Sequence, residues 1–290
     1  MAKELSFVEQ LCYNTTRIVT VNSKKEVHVA SGFFVGFGIE GEEDKGVPIL
    51  VTNRHVTEDA EKLIIWLSEK DANGDPVDKE KVEITIEDAA SRFIMHPDPQ
   101  VDLSIFPIAV TISNAEKATN TSLLYKTFSS SILMTDANAE ELDAVEEILM
   151  IGYPNGLWDQ TNNRPIFRYG ITATDPKVDY EGKREFMIDC ACIQGSSGSP
   201  VLLYNRGICS NKFGKETKYD VIKAKLLGVQ HSIPIRNTEG KMVKVVTPTS
   251  DDKAPVIGLP INLGYIVKIQ CLFDFIPILE KQLNLKIKRI

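Results

Sequence analysis

Apolar and polar residues alternate over Arg17–Val21, Val27–Val35 and Val82–Ile86. A period of two puts one face of a strand on a core and the other toward water. Ile49–Thr52 and Leu63–Leu67 are continuous apolar runs, the pattern of a buried strand. Leu103–Val110 reads as another apolar strand, and Asn73-Gly74 with Pro76 marks a hairpin turn. Residues 112–144 are rich in Ser, Thr, Asn, Ala and acidic residues. They read as a connection, with a short helix near Ala139–Ala144. Strand signals resume at Glu146–Ile151, Ile166–Thr174, Glu185–Asp189, Val201–Tyr204, Val221–Gln230, Met242–Val246 and Tyr265–Ile269.

The two ends carry helical spacing. Leu5, Phe7, Val8, Leu11 and Cys12 predict a short N-terminal helix. Leu272, Phe275, Ile278, Leu279 and Leu283 predict a C-terminal one, with Pro277 as its start or a kink. Many short strands separated by turns favour an all-β barrel or sandwich over βαβ units.

Composition narrows the function classes. The 290 residues are 43% hydrophobic with a net charge of -7, enough for one large domain or two small barrels. No long basic run supports a nucleic-acid partner. No apolar run reaches a membrane span. Five scattered cysteines, Cys12, Cys190, Cys192, Cys209 and Cys271, do not read as a disulfide framework. The first residues lack the apolar core of a signal peptide. The expectation is a soluble protein of a reducing compartment such as the cytoplasm.

The chemistry centres on Gly195-Ser196-Ser197-Gly198-Ser199-Pro200. Glycines allow a tight turn that exposes a hydroxyl and aims backbone N–H groups at one point. By itself the hexapeptide reads first as an ordinary Gly/Ser turn, as most such segments are. A serine needs a base to accept its proton, and histidine is the usual one. Of four histidines, His55 has the best context. It sits in Thr52-Asn53-Arg54-His55-Val56, where a buried strand ends. His28 lies inside an alternating strand, and His96 precedes Pro97 in a polar loop. The acid that orients the base is best placed at Asp102, directly before an apolar strand; nearby Asp98 lies between two prolines. The order is His55, Asp102, Ser197, which suits a cleft between two halves.

Those three motifs, with Ser31-Gly32-Phe33-Phe34-Val35, Ile151-Gly152-Tyr153-Pro154-Asn155-Gly156-Leu157 and Gly170-Ile171-Thr172-Ala173-Thr174, resemble the chymotrypsin-like (trypsin-fold) serine peptidases. Intracellular bacterial trypsin-like peptidases are the nearest likeness, over roughly residues 15–275. The resemblance implies an all-β fold of two six-stranded antiparallel β-barrels with short terminal helices. The expected layout is an N-terminal helix at 1–14, a first barrel at 15–125, a linker at 126–144, a second barrel at 145–270 and a C-terminal helix at 271–290. His55 would be the general base and then acid, Asp102 its orienting carboxylate and Ser197 the nucleophile. The N–H groups of Gly195 and Ser197 would form the oxyanion hole. The substrate would be a protein or peptide, and no metal or organic cofactor is implied.

Departures from the family pattern refine this reading. Ser196 stands where the animal enzymes carry an aspartate that pairs with a freshly cleaved N-terminus, so no zymogen cleavage is expected. Ala191, six before the serine, falls at the base of the substrate pocket. A neutral residue there points to small or apolar P1 residues. His231, in Leu227-Gly228-Val229-Gln230-His231-Ser232, would lie beside the acid or on the pocket wall. Three other readings remain: an inactive protease-fold binding or scaffolding protein, an esterase, and a zinc site built from Cys190, Cys192, Cys209 and His231.

Overall fold

A computed structural model describes residues 4–236, 242–246 and 259–288. Six principal strands fill the first half: β1 (Thr15–Asn22), β2 (Val27–Ile39), β3 (Glu42–Thr52), β4 (Ala60–Lys70), β5 (Pro76–Glu87) and β6 (Ser104–Pro107). They pair in the order β5-β4-β1-β2-β3-β6. Short strands at Ile94–Met95, Ser122–Leu124 and Phe128–Ser129 pair with β6, β4 and β2 and complete a nine-stranded sheet. The second half has β7 (Glu147–Gly152), β8 (Ile166–Thr172), β9 (Glu185–Asp189), β10 (Pro200–Ser210), β11 (Thr217–Arg236) and β12 (Leu263–Lys268). Here the pairing runs β10-β7-β8-β9-β12-β11 and returns from β11 to β10, so six strands form a closed ring. Met242–Val246 and Leu259–Pro260 attach to β11. The all-β architecture in two sheets is the one the strand spacing and the resemblance call for.

The apolar runs follow from burial on two sides. Phe33, Val35 and Phe37 of β2, with Ile49 and Val51 of β3, join a core shared with Ile148, Met150, Val201 and Leu203 of the second half. The intervening Phe34 and Leu50 face the other way, into a core of Ile18, Leu63, Ile65 and Phe106 within the first half. Each strand thus separates two cores, and no position in its middle is left for water.

Several boundaries differ from the sequence expectation. The run Leu103–Val110 ends as a strand at Pro107. Helix α1 spans Phe7–Leu11 and α2 Arg54–Thr57; a single helical turn follows at Ala89–Arg92, and a longer helix, α3, occupies Ala109–Thr119. Its apolar residues Ile108, Ile112 and Ala115 recur at helical spacing and pack on the first-half core, which overrides the strand-like run before it. Residues 112–144 therefore hold more than a connection. The short helix expected at Ala139–Ala144 lies at Asp136–Ala139, because the Thr135 side chain accepts from Asn138 N–H and sets the start there. At the N-terminus, a reciprocal Ser6–Glu9 capping box fixes α1. At the C-terminus, α4 (Ile276–Leu283) begins with Pro277 in its first turn, where a missing N–H costs nothing. Among the described residues, no helix is long and apolar enough to cross a membrane.

Candidate active site

Strand β3 delivers the first group. At its end, Thr52 donates its hydroxyl to the Ser31 carbonyl at 2.9 Å. The chain then turns through Asn53 into α2. Asn53 Nδ2 donates to the Asp102 carbonyl at 2.8 Å, and the Ser104 hydroxyl donates to the Asn53 carbonyl at 3.1 Å. Thr57 Oγ1 bonds the Ser104 hydroxyl at 2.9 Å. Arg54 reaches back to the His96 carbonyl. The α2 turn and the segment before β6 are thereby one braced unit, with His55 and Asp102 facing each other across it.

His55 N–H donates to Asp102 Oδ1 at 3.0 Å, and His55 Nδ1 lies 2.6 Å from Asp102 Oδ2. A carboxylate only accepts, so the Nδ1 proton is engaged there and Nε2 is left as the acceptor. Nε2 stands 3.0 Å from Ser197 Oγ. Burial would raise the Asp102 carboxyl, but the charge and hydrogen bonds of His55 and His231 outweigh it. They hold the carboxyl well below the usual carboxylate range. The structure thus brings His55, Asp102 and Ser197 together from three separate segments. Asp98 is not among them; its carboxylate accepts from Gln100 N–H at 2.9 Å.

The serine turn is shaped by two left-handed glycines. Gly195 has φ +79° and Gly198 φ +81°. A Cβ on Gly195 would stand 2.6 Å from the Tyr153 carbonyl, and one on Gly198 would stand 1.9 Å from the Ser31 carbonyl. Only glycine fits either place. Ser196 N–H donates to the Ile193 carbonyl, Gly198 N–H to Gln230 and Ser199 N–H to Ser196. Ser31 joins the halves: its N–H donates to the Ser197 carbonyl at 2.8 Å and its hydroxyl to the Gly195 carbonyl at 3.0 Å.

Ala191 is exposed, and its carbonyl accepts from Arg168 Nη1 at 2.7 Å. The same nitrogen donates to Ser196 Oγ at 2.7 Å. One guanidinium therefore spans the loop from Ala191 to Ser196. Arg168 Nε and Nη2 are buried without a hydrogen-bond partner among the described residues, and burial lowers the pKa of the group. The sequence leaves His231 two places, beside the acid or on the pocket wall. It is seated beside the acid: Nδ1 is 3.5 Å from Asp102 Oδ2, and Nε2 is 3.2 Å from Glu185 Oε1. Sequence reasoning missed Arg168 and Glu185. Arg168 is a lone charge in a strand-like segment and Glu185 closes the charged run Lys183-Arg184-Glu185, so each resembles a solvated residue until its partners are known.

The remaining histidines and the cysteines have other settings. His28 lies in β2 opposite Thr20. His96, read from sequence as a polar-loop residue, is buried at 2% exposure. Its Nε2 faces the Cys271 carbonyl and Asp274 Oδ2, each at 3.2 Å. Those partners lie far along the chain, which is why the local sequence hid the burial. All five cysteines are free. The zinc reading does not hold its donors together: Cys209 belongs to the β10–β11 hairpin, and His231 faces two carboxylates. Among the described residues, no three His, Cys, Asp or Glu side chains converge for a metal. Burial pushes the Cys192 thiol up to about 12, the state of an unreactive buried thiol.

Comparison with known proteins gives one family. The model of the trypsin-like peptidase domain matches residues 30–207. No curated protein matches the sequence. Among solved structures, the HtrA-type protease AlgW with a tripeptide is similar at 15% identity and a TM-score of 0.48, covering 96% of this chain. The chain spans only 63% of that AlgW chain. A catalytically inactive tobacco etch virus protease with substrate is similar at 10% identity and a TM-score of 0.47, covering 96% of this chain and 86% of its own. The HL collagenase is similar at 10% identity and a TM-score of 0.46, with 96% of each chain covered.

Proposed function

Because the chain belongs to the trypsin-like peptidase domain family, we propose that it is a serine endopeptidase acting through His55, Asp102 and Ser197. The observation that carries this is the unbroken line Ser197 Oγ–His55 Nε2 at 3.0 Å and His55 Nδ1–Asp102 Oδ2 at 2.6 Å. In this reading His55 takes the Ser197 proton as Oγ attacks the scissile carbonyl. The N–H groups of Gly195 and Ser197 hold the oxyanion. Asp102 stabilises the imidazolium, which then gives its proton to the leaving amine. Water releases the acyl group by the same steps in reverse roles.

The test is labelling of the purified chain with a serine-directed fluorophosphonate. Ser197 labels, Ser197→Ala abolishes the label, and His55→Ala slows it by roughly a thousandfold or more. A folded chain that never labels would instead be a scaffolding member of the family.

No zymogen step belongs to this reading. Ser196 carries no charge to pair with a new N-terminus, and Arg168 already holds its hydroxyl. The P1 residue is small or apolar, from the neutral Ala191 at the position that forms the pocket base in the peptidases the sequence resembles. The Arg168 cation against the Ala191 carbonyl also disfavours a basic P1. A second reading, an acidic P1 residue, is favoured by the two Arg168 nitrogens without hydrogen-bond partners. Cleavage sites in a proteome-derived peptide library separate the two, and a profile dominated by Lys and Arg refutes both.

A further inference from the structure

The polar contacts do not stop at Asp102. His231, in β11, places Nδ1 3.5 Å from Asp102 Oδ2, the oxygen that also receives His55. Its Nε2 lies 3.2 Å from Glu185 Oε1, at the start of β9. The His231 and Glu185 side chains are only 6% and 7% exposed. Ionised carboxylates accept hydrogen bonds and cannot donate them. A neutral imidazole has one N–H, so one of its nitrogens would turn a lone pair toward an anion. The doubly protonated ring satisfies both contacts.

The other groups against the ring are uncharged. The Ser232 hydroxyl lies 3.2 Å from Nδ1 and 3.4 Å from Nε2, where it can share an N–H with a carboxylate, and the Tyr265 ring centroid is 6.4 Å away. Burial alone would lower the His231 pKa, but the hydrogen bonds and charges of Asp102 and Glu185 outweigh it and raise it.

We propose that His231 is a positioning residue: an imidazolium held between Glu185 and Asp102 that fixes the Asp102 carboxylate toward His55. Its catalytic consequence rests on the peptidase reading; the contact itself does not. Asp102 precedes β6 in the first half, whereas His231 and Glu185 stand on strands of the second. The bridge therefore makes the acid's orientation depend on the seating of the two halves.

Two measurements on the full chain test this. In the Ser197→Ala background, which cannot cleave itself, nitrogen-15 NMR reads the His231 ring. Both nitrogens are protonated at pH 7, and Glu185→Gln or Asp102→Asn lowers the midpoint by about one unit or more. In the Ser197 chain, His231→Gln lowers kcat about ten- to a hundredfold with little change in KM. The double variant Glu185→Gln/His231→Gln removes the uncompensated buried carboxylate, restores stability and leaves kcat low. A ring that is neutral at pH 7, or a folded double variant with wild-type kcat, overturns the proposal. A chain that never labels with fluorophosphonate, but whose His231 titrates as described, supports the bridging cation and sinks the peptidase reading.

Discussion

Ser31 donates its backbone N–H to the Ser197 carbonyl at 2.8 Å. A strand of the first half thus holds the serine turn of the second by main chain as well as side chain. The Ser31 hydroxyl donates to the Gly195 carbonyl and accepts from Tyr153 N–H, both at 3.0 Å. Every one of these groups is buried, so water cannot replace a lost partner.

Ser31→Ala is therefore expected to cost about 1–3 kcal/mol of stability. It also slows fluorophosphonate labelling of Ser197, because the Gly195 carbonyl loses its anchor. Urea unfolding and labelling rate measured together check this. A variant as stable and as reactive as the parent would show that the Ser31 hydroxyl is not a clamp.

Gly198→Ala tests close approach against backbone strain. Gly74 has φ +87° with nothing within 4 Å of an added Cβ, whereas Gly198 has the Ser31 carbonyl at 1.9 Å. Gly74→Ala should cost only the left-handed penalty, about 1–2 kcal/mol. Gly198→Ala should cost several times as much or prevent folding, because backbone must move. Thermal melting of the two variants gives the comparison, and equal losses would contradict the geometry.

Arg168→Met removes the side chain that ties the Ala191 carbonyl to the Ser196 hydroxyl. The expected result is a fall in kcat of about ten- to a hundredfold, with KM less affected, since the loop that aims the Gly195 N–H loosens. Stability changes little, because an incompletely hydrogen-bonded buried cation is itself costly. Steady-state kinetics on a peptide substrate decide the matter. An unchanged kcat would reduce Arg168 to a packing residue.

Stability should depend on pH at both ends of the scale through two buried groups. The Asp102 carboxyl is depressed, so its contribution is present above the ordinary carboxylate value of 3.8 and is lost as pH falls through its lower folded value. His231 is raised above 6.5, so its contribution is full below 6.5 and is lost as pH rises through the folded value. The stability gap between the parent and His231→Gln should therefore be widest below about pH 6 and narrow toward alkaline pH. Denaturant midpoints across pH measure it. A gap that widens with pH would mean that His231 is buried neutral.

Much of this protein can be read without coordinates. The alternation over Val27–Val35 and the run Ile49–Thr52 identify strands, because period-two patterning and apolar continuity are local consequences of burial. The glycines of Gly195–Pro200, the strand end before His55 and the apolar strand after Asp102 place three candidate groups in order along the chain. Helix α3 was not legible. Its Ile108 and Ile112 belong to a helical stripe, but they follow directly on Ser104–Pro107 and extend its apolar run.

Tertiary structure alone decided which charges meet. The sequence favours Asp102 over Asp98 by its place before an apolar strand, but the contact with His55 exists because Asn53 and Ser104 pin the two segments together. Arg168 and Ser196 are 28 positions apart, and His231 and Glu185 stand on different strands of a closed ring. Local propensity and patterning act over a few residues and are written in the sequence. An electrostatic contact between buried groups depends on distances of a few ångströms across a packed interface, and only the assembled fold sets those.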